Sequence, residues 1–516
     1  MRPLLALLFI ALSPCAQDSR PASSSPPAAT LDAGPVTGEW LDQPRGLVVF
    51  RGIPFAAPPV GARRWLPPEP PQPWQAPREC TRFGPSCPQP SSPLVAGVVG
   101  PQDEDCLYLN VWSAGRPGET RPVLFWIHGG GCTIGSGSQS YYDGRELALR
   151  GAVVVTTNYR LGPLGFFAHE ELSAKSEAKV SGNQGLRDQV AALRWAQANI
   201  AAFGGDPKKV TIFGESAGAV CCACLLVSPL AKGLFHRAIL ESGTASSIQT
   251  RLSDGNDSAE DQGAALLEAA GARDLAALRN KTARELIAAK PARIGIFGQG
   301  VKYGPIVDGV VLPDEPDRLF ASGAFHKVPI ILGTNADEAT LFDRQMPIRA
   351  AAGYRLTVRT LFGTHANAVL EVFRVGADGE FKTSLDRLVT TMAFVEPARR
   401  MARAVAAHSP DVWLYHFTRK PALAVASGLG ATHGAEIPYV FGSSKAVLAA
   451  PADRALADAM QRAWFGFSAT GVPDAEWPRY DLEKERHLEL DTPLRIAAKL
   501  LAAECDVVEK AHEARR

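Results

Sequence analysis

The chain has 516 residues, 46% of them apolar and 21% charged, and its 54 Lys and Arg nearly balance its 53 Asp and Glu. Such a composition supplies a large core and excludes an intrinsically disordered chain. A formal net charge of +1 without any block of like charges argues against nucleic acid as a partner.

At the N-terminus, Arg2 precedes an apolar stretch from Leu4 to Leu12 that is too short to span a bilayer. Residues 1–16 therefore read as a signal peptide, and the protein is expected to be bacterial and secreted or periplasmic. Leu12 to Cys15 (LSPC) carries a partial lipoprotein signal, opposed by Pro14 where a small residue is needed. Residues 17–35 read as a flexible segment and 36–516 as one catalytic domain. Export permits disulfides. Cys87 and Cys106 enclose a Pro-, Gly- and Ser-rich loop with little core of its own, which closure would stabilise, so a bridge is expected there.

From about residue 105 to 245, β-rich runs alternate with helical stretches, the pattern of a large, mostly parallel sheet with helices on both faces. Residues 107–112, 123–128, 152–159, 209–216 and 237–243 read as strands whose unbroken apolar character requires cover on both sides. Leu186, Val190, Leu193 and Ile200 recur at helical spacing and the run stops at Gly204-Gly205, which predicts a crossover helix over 186–205. Cys221, Cys222 and Cys224 match no zinc-ligand spacing and read as buried free thiols.

Directly after the second strand, His128 to Ser138 (HGGGCTIGSGS) spends five of eleven positions on glycine. After the fourth, Gly214-Glu215-Ser216-Ala217-Gly218 is a G-x-S-x-G between strand and helix, the setting of a nucleophile elbow. Small residues on either side let such a turn close while the serine hydroxyl points outward. The N–H groups of Gly130, Gly131 and Ala217 would then surround the oxyanion of a tetrahedral intermediate. A phosphate-binding loop is excluded, because the glycines are not spaced G-x-x-x-x-G-K.

A serine hydroxyl needs a base and an orienting carboxylate, which follow in the order acid, histidine. The region from about 251 to 300 reads as surface helices and loops. Residues 328–335 and 412–418 read as further strands, separated by a helical insertion at about 336–411 that caps the site. Asp337 and Glu338 follow the first of these strands, at the carboxyl edge where open α/β sheets place their sites, and spacing does not choose between them. Of the eight histidines after Ser216, His433 lies in a glycine-flanked loop beyond the last strand, whereas His416 lies inside that strand and reads as structural. The base must be neutral, so activity is expected to rise around pH 6–7. No cofactor and no metal are required.

Seven motifs follow one another between Phe50 and Ala219, within a likeness that runs across nearly the whole mature sequence: FRGIPFAAPPVG (Phe50 to Gly61), EDCLYLNVW (Glu104 to Trp112), HGGG, NYRLGPLGF (Asn158 to Phe166), GNQGLRDQ, FGGDP and FGESAGA (Phe213 to Ala219). By these the sequence resembles the type-B carboxylesterase/cholinesterase family of α/β hydrolases. The resemblance implies the α/β-hydrolase fold and cleavage of small-molecule carboxylic esters through an acyl-enzyme. It makes Ser216 the nucleophile, His433 (in HGAEIPYVFG) the base and Glu338 the acid. It also supports the Cys87–Cys106 bridge and puts Ser242 near the acid and base; Glu215, beside the nucleophile, would adjust local charge. Two departures stand out. Cys132 occupies a position that is often aromatic in the family, implying a roomier wall beside the oxyanion hole. The Cys87–Cys106 loop lacks the tryptophan with which cholinesterases hold a quaternary ammonium, which argues against choline esters. The alternatives are an amidase or peptidase with the same triad, and a non-catalytic adhesion-type relative; the latter lose triad members, all of which are present here.

Overall fold

Apolar runs that need cover on both faces are satisfied by a sheet between helical layers, and the computed structural model of the chain is built on one. It describes residues 25–92, 99–255, 257–293, 299–342, 346–376 and 380–514. The main sheet has eleven strands: β1 (Glu39–Asp42), β2 (Leu47–Pro54), β3 (Tyr108–Ser113), β4 (Arg121–Ile127), β5 (Val153–Thr157), β6 (Gly205–Glu215), β7 (Arg237–Glu241), β8 (Ile330–Asn335), β9 (Val412–Phe417), β10 (Arg486–Leu490) and β11 (Arg495–Ala498). Their spatial order is β11-β10-β9-β8-β7-β6-β4-β5-β3-β2-β1. Every pairing from β5 across to β10 is parallel, and the pairings at the two margins are antiparallel. This is the α/β-hydrolase arrangement, with β6 at the centre.

Order begins earlier than composition suggests. Ala28–Thr30 pairs with Pro35–Thr37, which pairs in turn with Arg78–Glu79. The segment expected to be flexible through residue 35 is therefore fixed from Ala28, by main-chain hydrogen bonds and by burial of Leu31 and Val36. Residues 1–24, including the expected signal peptide, lie outside the described residues. Among the described residues no helix is long and apolar enough to cross a membrane.

Helix α1 (Gln184–Asn199) and a 3-10 turn (Ile200–Phe203) supply the crossover, ended by Gly204 at φ 81°. Leu186, Val190 and Leu193 face the sheet. On the same helix Asp188 accepts from Arg160, with Nε to Oδ2 at 2.8 Å and Nη2 to Oδ1 at 2.7 Å, and this fork locks the segment after β5 onto α1. Both partners are almost inaccessible to water.

The region after β7 holds three short helices, Ala259–Ala269, Leu275–Arg279 and Ala283–Ala289, two of them started by capping boxes at Ser258 and Thr282. Between the neighbouring strands β8 and β9 the chain leaves the sheet as a 3-10 turn (Glu338–Leu341) and the helices Ala351–Phe362, Ala366–Val372, Phe381–Thr390 and Glu396–Ala406. Tyr354, Val358, Phe373 and Leu385 give these helices an apolar cluster of their own, closed by Val508 of the C-terminal helix Ala502–Glu513. Cys87 and Cys106 sit at bonding distance with Cα atoms 5.0 Å apart, while Cys80, Cys132, Cys221, Cys222, Cys224 and Cys505 are free and buried.

Removing one member of a buried ion pair strands the other charge. Asp188→Ala is expected to lower unfolding free energy by about 3–5 kcal/mol, read as a lower urea midpoint. An unchanged midpoint would remove this pair from the account of how α1 is held.

Candidate active site

β6 hands the chain directly to helix α2 (Ala217–Val227), and Ser216 at the joint has φ 56° and ψ −122°. A non-glycine residue there costs on the order of 1–3 kcal/mol and persists only where its surroundings leave no alternative. Ser216 N–H donates to Glu241 O (2.9 Å) and Val220 N–H to Ser216 O (3.0 Å), which pins the turn from both sides. A Cβ on Gly214 would come within 2.6 Å of the Ile127 carbonyl oxygen, and one on Gly218 would collide with the same group. Glycine at these two positions is thus what lets β6 and α2 meet.

The adjacent strand β4 delivers the HGGG segment to the same place. A Cβ on Gly129 would lie 3.1 Å from Ser216 Cβ, while one on Gly131 would meet nothing within 4 Å. Gly130 and Gly131 have φ of 99° and 64°. Among the described residues the N–H groups of Gly130, Gly131 and Ala217 donate to no protein acceptor. Bare backbone donors therefore face open space beside the serine.

Glu338, fully buried after β8, accepts the Asn335 N–H at Oε1 (2.7 Å) and holds Oε2 at 2.6 Å from His433 Nδ1. Asp337 points elsewhere, to Lys420 Nζ (2.8 Å) and the Ala431 N–H (2.8 Å), so geometry separates the two acids that spacing left open. The His433 ring is flanked by Phe342 and Phe394, with centroids 5.2 and 4.9 Å away. Its Nε2 lies 3.0 Å from Glu215 Oε1, yet that oxygen receives no hydrogen bond, so the contact is one of charge and not of aimed donor and acceptor. Ser216, His433, Gly130, Gly131 and Ala217 line one cavity of about 1310 Å³, though no hydrogen bond joins the Ser216 hydroxyl to His433. His416 is buried in β9 with Nδ1 3.1 Å from Thr334 Oγ1, and burial pushes it down to about 4, as suits a neutral structural imidazole.

Burial opposes charge on His433, but the carboxylates of Glu215, Glu338 and Glu436 outweigh it and lift the imidazole to about 9. This is above the 6–7 expected for an ordinary histidine, because the sequence does not reveal how many carboxylates surround the ring. Burial raises Glu215 to about 7, with His433 pulling it down and Glu338 pushing it up. Burial, Glu215 and Glu338 raise Glu436 to about 8.

Ser242 lines the cavity at φ 51°, but among the described residues its buried hydroxyl has no hydrogen-bond partner and so bonds to neither Glu338 nor His433. Two residues escaped the sequence reading. Asn335 joins the acid turn to the histidine loop, since its N–H reaches Glu338 and its side chain donates to Thr432 O (2.9 Å) and Glu436. Glu436 stands three residues after His433, a spacing that gives a loop carboxylate no distinguishing signal. Cys132 is buried on the cavity wall with φ 56°, where an aromatic ring would take more room.

Comparison with known proteins agrees with this architecture. A family model described as "Carboxylesterase family" matches residues 25–508. The chain is 41% identical over 455 residues to a fumonisin B1 esterase of Sphingopyxis macrogoltabida, spanning 84% of this chain and 82% of that protein. It is 38% identical over 478 residues to a para-nitrobenzyl esterase of Bacillus subtilis, spanning 87% and 92%. A solved para-nitrobenzyl esterase structure superposes with a TM-score of 0.82 at 34% identity, covering 94% of this chain and 99% of that one. A match across nearly the whole length, on a sheet that carries its serine at a strained strand-to-helix turn, places this chain in the carboxylesterase family, as a carboxylic ester hydrolase of the α/β-hydrolase fold.

Proposed function

We propose that Ser216 attacks the ester carbonyl while His433 Nε2 takes its proton, and that Glu338 holds the ring through Nδ1 and stabilises the imidazolium. The oxyanion is received by the N–H groups of Gly130, Gly131 and Ala217. His433 returns the proton to the leaving alcohol, and water, activated by the same imidazole, then hydrolyses the acyl-enzyme. The observation that carries this reading is the 2.6 Å contact between Glu338 and His433 at the wall of the cavity that also holds Ser216 and three unpaired N–H groups. A cavity of about 1310 Å³ exceeds the roughly 300–1,000 Å³ of ordinary ligand pockets, which favours bulky esters. In the same reading the enzyme is exported, loses residues 1–16 and carries Cys87–Cys106 as a disulfide.

Ser216→Ala is expected to abolish the burst of aryl alcohol from an aryl ester and to lower kcat by on the order of a million-fold; a surviving burst would exclude Ser216 as nucleophile. Matched amide substrates are expected to turn over far more slowly than their esters.

The base works when neutral, and a raised imidazole is neutral only above its own pKa. Activity should therefore climb through the alkaline range toward about 9. Glu215→Gln removes one of the charges that lift His433, so the ascending limb of kcat/KM should move to lower pH, by roughly 1 pH unit. A limb that stays in place would mean that Glu215 does not govern the basicity of the ring.

A further inference from the structure

The charges on the wall of the catalytic cavity do not cancel. Of the carboxylates that line it, Glu315 lies 3.4 Å from Arg318, Glu396 lies 2.8 Å from Arg400, and Glu215 faces His433 at 3.0 Å. Each carboxylate on the wall thus has a cationic partner. Arg293 and Lys302 also line the cavity, and among the described residues neither has an Asp or Glu within ion-pair distance.

The two cations are held side by side by main chain. Ala292 and Val301 form a parallel bridge, and Arg293 N–H donates to Val301 O at 2.8 Å. The intervening residues 294–298 contain no acid in the sequence. Lys302 Nζ is positioned by neutral acceptors, the Ser247 carbonyl and hydroxyl oxygens at 3.2 Å each, which orient the ammonium without cancelling its charge. The titratable groups that act on Lys302 are Arg293 and the thiols of Cys132 and Cys224, and Cys132, which follows Gly130 and Gly131, lines the same cavity. Lys302 keeps contact with solvent, but the cavity walls displace part of its water and Arg293 repels it, and both effects hold it below the ordinary lysine value. Two adjacent like charges in a partly dehydrated wall repel each other, and an anion between them would relieve that repulsion.

We propose that Arg293 and Lys302 form a subsite for a carboxylate carried by the ester substrate, so that the enzyme prefers acidic esters, such as half-esters of dicarboxylic acids, to neutral ones. The proposal rests on Ser216 as the nucleophile of the same cavity. The carboxylate can belong to the acyl part or to the alcohol part, and three aryl esters of similar size separate these sources: a nitrophenyl valerate, a nitrophenyl hemiglutarate, and a valerate of a nitrophenol bearing a ring carboxylate.

With the full-length protein, one of the two anionic esters should exceed the neutral valerate in kcat/KM by about 10-fold or more at low ionic strength, mainly through KM. The advantage should shrink as salt screens the charges. Lys302→Glu and Arg293→Gln should each lower the ratio of anionic to neutral kcat/KM by about 10-fold, and Lys302→Arg should restore it. Salt dependence of the unmodified enzyme gives the same readout if a variant fails to fold. Hydrolysis of the valerate with no anionic preference, or a preference indifferent to both salt and Lys302→Glu, overturns the subsite and leaves the nucleophile intact. Hydrolysis of none of the three overturns the nucleophile and the subsite with it.

Discussion

One close approach governs the molecule: the crossing of β6 and α2 beneath the end of β4. There the Ile127 carbonyl leaves no space for a side chain at Gly214 or Gly218, and the chain turns in a single residue with Ser216 at positive φ. Such a turn is strained by about 1–3 kcal/mol. It is held by the buried C-terminal half of β6, by the Ser216 N–H bond to β7, and by α2, whose residues pack against the sheet almost without exposure. The sheet thus converts a local cost into a fixed direction for one hydroxyl. The HGGG arc, the acid turn after β8 and the histidine loop after β9 all take their positions from the same sheet edge.

Around that turn the protein concentrates negative charge in a dry space. Glu215, Glu241, Glu338 and Glu436 are all buried, and Glu241 and Glu436 each keep one oxygen without a donor. Burial raises Glu241 well above the ordinary carboxylate value, with Glu436 adding to it, and the indole N–H of Trp464 works in the opposite direction from 2.8 Å. The imidazole is the cation that this group of acids shares. Its protons therefore belong to the cluster, and titration of the site is a property of several residues at once. Under the mechanism proposed for this site, an imidazole held this way is a strong base that works only where it is unprotonated.

Legibility in the sequence followed burial and periodicity. β4, β5, β8 and β9, and the later parts of β6 and β7, are buried on both faces, and their apolar runs mark their positions within a few residues. The margins were not legible: β1, β10 and β11 are partly exposed and mix polar with apolar residues, and the pairing of Ala28–Thr30 depends on a partner strand that local composition does not reveal. Ser216 and its glycines carry a local pattern, so their geometry was foreseeable. The choice of Glu338 over Asp337 came only from family resemblance, because adjacent acids differ in direction and not in spacing. Asn335 and Glu436 were missed for the same reason: their roles arise from loops that meet in space ninety-seven and one hundred and one residues apart. Arg293 and Lys302 carry no local pattern at all, because the lack of an acidic partner among the described residues is a property of the folded cavity wall.

The rings beside His433 have a wider implication. Phe342 and Phe394 come from opposite ends of the excursion between β8 and β9, and the same excursion supplies one part of the cavity wall. Fit to the reactant and support of the His433 ring are therefore not separable modules. Transplanting this stretch from a relative to change what the cavity accepts would also exchange the aromatic clasp on the imidazole, so new selectivity and retained turnover have to be designed together.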